Sequence, residues 1–158
     1  HIFVDGAKCA NGTGYGIFIN WRLDQKTPPL ELSGVCGIHS TSKESEYEAI
    51  KVALKVIHES FSNNAIIPYN CVIFTDCQSF LKNLLSNLPV PKLTKINSFI
   101  RKITTTFNIQ LIFQWIPAHS NNEVHNKVHN MAKDSAHTHP KQDDRKVSLE
   151  AAKAIIKA

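Results

Sequence analysis

Apolar positions along the chain follow two different periods, and their alternation predicts a succession of strands and helices. Short β-favouring runs predict five strands, near residues 2–5, 14–19, 30–38, 71–74 and 109–116. Apolar stripes at helical spacing predict four helices, near residues 43–61, 80–88, 93–107 and 122–136. This order indicates an α/β fold with a five-stranded mixed sheet that is flanked by helices and whose first three strands are antiparallel.

The pattern continues without a break in composition to about residue 138. It predicts one domain over residues 1–138, followed by a polar linker and a short C-terminal helix over residues 139–158. The longest apolar run falls far short of the roughly 20 residues that span a bilayer, so we expect no membrane partner. The four cysteines form no CxxC pair, which favours free thiols in a reducing intracellular compartment, the cytoplasm or the nucleus.

Net charge adds a weak indication of the partner. The chain carries 18 basic and 13 acidic residues, a formal charge of +5, which is compatible with a phosphate-bearing partner but is common in other domains. Basic residues are concentrated on the two middle helices: Lys82, Lys92, Lys95, Arg101 and Lys102. They form either a solvated helix face or a phosphate-binding surface, and in the second case affinity falls steeply with salt.

Two aspartates follow buried-looking strands. Asp5 precedes Gly6 at the predicted end of the first strand, and Asp76 follows Thr75 just before a helix. Asp5 could have a functional role or could simply form a turn with Gly6. Asp76 could likewise have a functional role or could cap the helix that follows it. Each aspartate is therefore ambiguous when it is considered alone.

Glu46 is more informative because its helix provides a comparison. Glu46 lies four, eight and eleven residues before the apolar residues Ile50, Leu54 and Ile57, so it prolongs the buried stripe. Glu48 lies instead on the polar face, where a solvated glutamate is expected. An unpaired carboxylate that faces the sheet is costly, so Glu46 requires a cation or a polar neighbourhood.

Asp5 and Asp76 are placed to complete such a neighbourhood with Glu46. Carboxylates a few ångströms apart raise one another's pKa values unless a divalent cation neutralises them. Oxygen ligands of this type favour Mg²⁺ or Mn²⁺ over zinc.

Four short motifs resemble the ordered signatures of type 1 ribonuclease H domains. They are VDGA at residues 4–7, SEYEAI at 45–50, FTDCQS at 74–79 and WIPAHS at 115–120. The resemblance covers about residues 2–136 and is strongest to domains attached to reverse transcriptases of retroelements, notably of the non-LTR type. It implies a ribonuclease H-like fold, an RNA–DNA hybrid as substrate, and a reverse transcriptase or other domains of a larger polyprotein as covalent partners.

The resemblance also implies two-metal hydrolysis of the RNA strand, with two Mg²⁺ ions or with Mn²⁺. Asp5 would bridge both ions, Glu46 and Asp76 would complete the ligand set, and His119 would assist proton transfer and product release. Members of this family read 2′-hydroxyls across a minor groove and not base sequence. The residues expected to contact substrate are Gly6, Lys8, Asn11, Gly12, Ser42, Lys43, Gln78, Ser79, Lys92 and Lys95.

The clearest departure from the family concerns its fourth carboxylate, which aligns with His129, ten residues after His119. In one interpretation, which we favour, neutral His129 is a catalytic metal ligand. In a second, activity is lost, and the domain binds hybrid without cutting or serves as a structural or interaction module. In a third, Asp134 takes the place of the fourth carboxylate. This interpretation is disfavoured, because five residues along a helix rotate the Asp134 side chain about 140° away from the direction of position 129.

His125 takes the place of the family's asparagine and lies four residues before His129. Two histidines at this spacing on a helix can bind zinc. Without a further Cys or Glu ligand, however, such a pair is more often coincidental, so the sequence predicts no zinc site.

Overall fold

The computed structural model describes residues 1–9, 12–21, 28–37, 41–63, 67–86, 91–118 and 121–137. The strands are β1 (Ile2–Cys9), β2 (Gly12–Ile19), β3 (Leu30–Gly37), β4 (Asn70–Thr75) and β5 (Gln110–Trp115). The helices are α1 (Ser42–Asn63), α2 (Gln78–Ser86), α3 (Pro91–Phe107) and α4 (Glu123–His137). The predicted linker and C-terminal helix over residues 139–158 lie outside the described residues.

The sheet confirms the predicted α/β class. Its strand order is β3-β2-β1-β4-β5. The β1–β2 and β2–β3 pairs are antiparallel, whereas β1–β4 and β4–β5 are parallel. The sheet is therefore mixed, and its first three strands are antiparallel as predicted.

One face of the sheet holds the large apolar core. The α1 stripe of Ile50, Leu54 and Ile57 is fully buried there together with Ile2 and Val4 of β1. Burial of each such aliphatic side chain contributes about 1.5–3 kcal/mol. The apolar residues of α1 recur at helical spacing because one side of this helix packs against this face of the sheet.

The other face is covered by α4, which lies directly on the backbone of β2. A Cβ at Gly16 would lie 2.4 Å from the Val128 carbonyl oxygen, and one at Gly14 would lie 2.5 Å from that of Ala132. Only glycine leaves room for this approach. Gly6 faces α1 and is paired with Tyr15 of β2, whereas the next residue of β2, Gly16, faces α4. Successive strand residues point to opposite faces of a sheet. Helices α1 and α4 therefore lie on opposite faces.

The predicted end of β1 was wrong. The strand continues past Asp5, and its ladder with β2 extends to the pair formed by Cys9 and Gly12. Gly12 adopts a φ of 148°, a conformation that glycine tolerates best. Gly6, which was interpreted as a turn residue after Asp5, is instead a strand residue that makes space for a helix.

Two further expectations concern membranes and cysteines. Among the residues that the structure describes, no helix is both long and apolar enough to cross a membrane. All four cysteines are free thiols.

Candidate metal and active site

Strands β1 and β4 carry two aspartates to the same end of the sheet. Their parallel pairing ends at Phe3 and Phe74, and Asp5 and Asp76 each follow two residues later. Asp5 is 1% exposed, and the Asp76 side chain is 14% exposed. The two carboxylates therefore meet where the neighbouring parallel strands stop pairing.

Helix α1 brings Glu46 to Asp5 because Gly6 lets the helix approach β1. A Cβ at Gly6 would lie 2.3 Å from Ser45 Oγ and 2.6 Å from the Glu46 backbone nitrogen. The Glu46 carboxyl group contacts that of Asp5. Its Oε2 atom is buried and has no hydrogen-bond partner among the described residues.

The electrostatics of these carboxylates are unfavourable without a cation. Burial, followed by the Asp5 charge, holds the pKa of Glu46 well above its usual range. Burial also raises the pKa of Asp5, and the Asp76 charge adds to this, although contacts with Glu46 and the histidines oppose it. The cluster therefore requires protons or a bound cation to neutralise it.

Glu48, the comparison residue on α1, is less solvated than predicted. Its side chain is only 13% exposed, and Oε2 lies 3.0 Å from Lys51 Nζ. The expectation of a solvated glutamate was wrong because the Lys51 side chain folds back along the helix. The two glutamates therefore differ in their partners, because Glu48 is paired with the cation Lys51 and Glu46 contacts another carboxyl group.

His125 is the site residue that the sequence reasoning passed over. It is 1% exposed and continues the buried stripe of Val128, Ala132 and Ala136 on α4. Its Nε2 atom lies 3.2 Å from Asp76 Oδ2 and 3.9 Å from Oδ2 of Asp5.

Two opposing effects act on the pKa of His125. Burial lowers it, but the Asp76 hydrogen bond and the charges of Asp5 and Asp76 together raise it above its ordinary value. The ring therefore interacts favourably with both carboxylates. Its position three and seven residues before Val128 and Ala132 is the signal that could have identified it.

His129 also reaches the cluster from α4. Its side chain is 34% exposed, and Nδ1 lies 2.7 Å from Asp5 Oδ2. When Nδ1 is protonated, it donates a hydrogen bond to this carboxylate. The four predicted ligands, Asp5, Glu46, Asp76 and His129, are thus brought together around Asp5.

A narrower group within this cluster has the spacing of a metal site. One potential ligand atom each from Asp5, Asp76 and His125 lies within 4.8 Å of the other two. His129 is not part of this group. Asp5 and Asp76 thus provide further candidate ligands beside His125, which the sequence alone does not identify.

The predicted substrate-contacting residues have mixed exposure. Lys8, Ser42, Lys43, Gln78 and Lys95 are exposed, Ser79 is half-buried, and Gly6 and Gly12 are buried. Asn11, His119 and the side chain of Lys92 lie outside the described residues. Contact of this set with substrate stays a prediction.

Comparisons with known proteins identify the fold. No protein-family model matches the sequence, and no curated protein matches it. A ribonuclease H1 isolated from compost, solved in complex with an RNA/DNA hybrid, is 23% identical with a TM-score of 0.63, covering 87% of this chain and 98% of that one. The fold is ribonuclease H-like. The ribonuclease H1 of Halobacterium salinarum shares it at 16% identity and a TM-score of 0.56, covering 85% of this chain and 95% of that one.

The ribonuclease H-like fold also relates this chain to a domain within a viral polymerase. The foamy viral protease-reverse transcriptase, in complex with an RNA/DNA hybrid, matches at 15% identity and a TM-score of 0.60. The match covers 86% of this chain but only 20% of that one. At these identities the likeness shows the fold, and the predicted origin in a non-LTR retroelement is not tested by it.

Proposed function

We propose that this chain is an endonuclease that hydrolyses the RNA strand of RNA–DNA hybrids with the help of two divalent metal ions. The observation that carries the proposal is the convergence of Asp5, Glu46 and Asp76 at one end of a ribonuclease H-like sheet. We also propose that it forms part of a retroelement reverse transcriptase, as its motifs indicate.

The donor set fits divalent ions. The unpartnered Oε2 of Glu46 is a buried acceptor that a cation would satisfy, and carboxylate oxygens suit Mg²⁺ or Mn²⁺. Asp5 contacts the Glu46 carboxyl group and lies 3.9 Å from Nε2 of His125, which supports the proposal that Asp5 would hold metal together with its neighbours. When bound, such ions lower the pKa of water and stabilise charge on a phosphodiester.

The proposed substrate rests on two further observations. Two of the solved structures with this fold are complexes with RNA/DNA hybrids. Lys43 is exposed on the first turn of α1, three residues before Glu46, and Lys8 is exposed on β1, three residues after Asp5. We propose that these lysines bind backbone phosphates of the hybrid, and the affinity should then fall with salt.

A second candidate function is hybrid binding without cleavage. The observation that favours it is the 2.7 Å contact between His129 Nδ1 and Asp5 Oδ2. A ring N–H at this distance donates a hydrogen bond to the Asp5 oxygen and occupies an acceptor that a metal ion would use. In that case the domain would bind hybrid but leave the RNA intact.

The experiment that separates these functions incubates the full chain with labelled RNA in an RNA–DNA hybrid, in Mg²⁺ or Mn²⁺. We expect internal cleavage of the RNA strand, and none of single-stranded RNA, double-stranded RNA or double-stranded DNA. The Asp5→Asn variant, purified in the same way, controls for contaminating nuclease. Tight hybrid binding without cleavage in either metal would overturn the nuclease proposal and support the second candidate.

A further inference from the structure

His125 is a buried imidazole that faces two carboxylates. It is 1% exposed, and its Nε2 atom lies 3.2 Å from an Asp76 oxygen and 3.9 Å from an Asp5 oxygen. A histidine that served only to fill the core would not need to align one nitrogen with two acids. The arrangement therefore presents two oxygens and one nitrogen toward a common point.

The spacing of these donors matches that around a small metal ion. Bonds of 2.0–2.2 Å in tetrahedral geometry separate two ligand atoms by roughly 3.3–3.6 Å. The two distances from His125 Nε2, 3.2 Å and 3.9 Å, lie on either side of this value. Small shifts would thus suffice for His125 to share an ion with either aspartate, and the three ligand atoms all lie within 4.8 Å of one another.

The nitrogen donor changes which metal is preferred. Mg²⁺ binds oxygen ligands and retains water, whereas imidazole suits zinc and related first-row ions. We propose that Asp5, Asp76 and His125 form a mixed nitrogen–oxygen site that binds Zn²⁺ in preference to Mg²⁺. This inference rests on the proposed nuclease site and concerns only the relative affinity of that site for the two ions, so it is tested without substrate.

His129 has a different role in the same site. Its Nδ1 lies 2.7 Å from Asp5 Oδ2, which is a hydrogen-bond distance and is shorter than the separation of two ligands around one tetrahedral ion. His129 is therefore a positioning residue that orients the Asp5 carboxylate. Hydrogen-bonded partners of this type fix the geometry of metal ligands.

The environment of His125 also limits its affinity for zinc. Its Nδ1 atom is buried and has no hydrogen-bond partner among the described residues. Metal-binding histidines usually donate this second N–H to a carboxylate or carbonyl, and loss of such a partner weakens metal binding about 10–100-fold. We therefore expect a reversible zinc site and not one that retains its ion through dialysis.

Calorimetric titration of the metal-free full chain with Zn²⁺ and with Mg²⁺ tests the inference. In the His125→Asn variant, which keeps a polar side chain at this position, we expect the ratio of Zn²⁺ to Mg²⁺ affinity to fall at least about tenfold. The matched control is His58→Asn, because His58 of α1 packs against Phe107 of α3 and lies about 18 Å along α1 from Glu46. A ratio that stays unchanged in His125→Asn, or falls equally in His58→Asn, would overturn the proposal.

Two additional measurements keep the assignment to His125 testable. In wild-type protein, addition of Zn²⁺ should shift the ¹⁵N resonance of His125 Nε2, and this readout does not depend on the folding of a variant. A larger fall in the affinity ratio for His129→Asn than for His125→Asn would overturn the assignment of the ligand to His125. An unshifted Nε2 resonance at saturating Zn²⁺ would overturn it as well.

The test of metal preference and the test of hybrid cleavage can fail independently of each other. Cleavage of hybrid in Mg²⁺ without any preference for Zn²⁺ would contradict only the metal assignment. A Zn²⁺ preference that depends on His125, with no hybrid cleavage in Mg²⁺ or Mn²⁺, would contradict only the nuclease proposal.

Discussion

Helices α1 and α4 lie on opposite faces of the sheet, and each carries, near its N-terminus and in line with its apolar stripe, a polar residue that approaches Asp5. On α1 this residue is Glu46, which precedes Ile50 and Leu54, and on α4 it is His125, which precedes Val128. Both side chains approach Asp5, but Glu46 adds a like charge, whereas His125 adds a basic nitrogen. A polar residue that prolongs an apolar stripe therefore indicates a functional site when several such residues converge.

We expect the greatest loss of activity from a substitution of Asp76, which lies in the carboxylate cluster that Glu46 and His125 approach. In Asp76→Asn the fold should persist, because Asp76 lies at the strand end and not in the apolar core. Loss of one metal ligand should reduce hybrid cleavage about 10³-fold or more, equivalent to several kcal/mol. Cleavage is measured under single-turnover conditions, with circular dichroism as the control for folding. Wild-type activity in this variant would exclude Asp76 from the site.

A substitution in the apolar part of the α1 stripe should lower stability and leave metal binding unchanged. Leu54→Ala removes a fully buried side chain and should lower the free energy of unfolding by about 2–5 kcal/mol. Its metal affinity below the melting temperature should equal that of wild type. Urea denaturation and calorimetry measure the two quantities, and a loss of metal affinity without a loss of stability would contradict the separation of core from site.

Glu46→Gln tests the cost of the acid at the end of the α1 stripe. Because the pKa of Glu46 is raised on folding, its ionisation destabilises the metal-free protein as pH rises through that pKa. The variant should therefore melt about 2–4 °C higher than wild type at pH 8 in EDTA, which corresponds to about 1 kcal/mol. The difference should shrink at pH 5, because the raised pKa of Glu46 favours its neutral form as pH falls.

Thermal melts at the two pH values provide the measurement. A Glu46→Gln variant that is less stable than wild type at pH 8 would show that the carboxylate contributes to folding even without metal.

The smallest expected effect belongs to Glu48→Gln, which is the matched control on the same helix. Glu48 is paired with Lys51 at 3.0 Å, and such helical pairs contribute about 0.3–0.5 kcal/mol. The variant should lose this much stability and keep wild-type metal affinity, as judged by denaturation and titration. An effect on metal binding as large as that of Glu46→Gln would remove the distinction between the two glutamates.

Much of this arrangement could be predicted from local sequence. The period of Ile50, Leu54 and Ile57 located Glu46 on the buried face, since helical spacing fixes which side chains share a face. The same logic applied to His125 through Val128 and Ala132. It was passed over because its partners Asp5 and Asp76 are distant in the chain, and only the packing of α4 on the sheet brings them together.

The end of β1 could not be predicted for a different reason. An Asp–Gly pair is typical of turns, and the sequence does not distinguish a glycine needed for backbone conformation from one needed for space. At Gly6 the requirement is space, because the first turn of α1 lies against it. That contact involves residues about 40 positions away, which no local pattern contains.

The most direct test of the central claim is a calorimetric titration of Mn²⁺ into the metal-free chain and into its Asp5→Asn variant. Asp5 interacts with Glu46 and with both His125 and His129. We predict saturable Mn²⁺ binding by the wild-type chain and at least about tenfold weaker binding by the variant. Equal affinities for Mn²⁺ in the two proteins would contradict the claim that this carboxylate cluster holds a divalent metal ion.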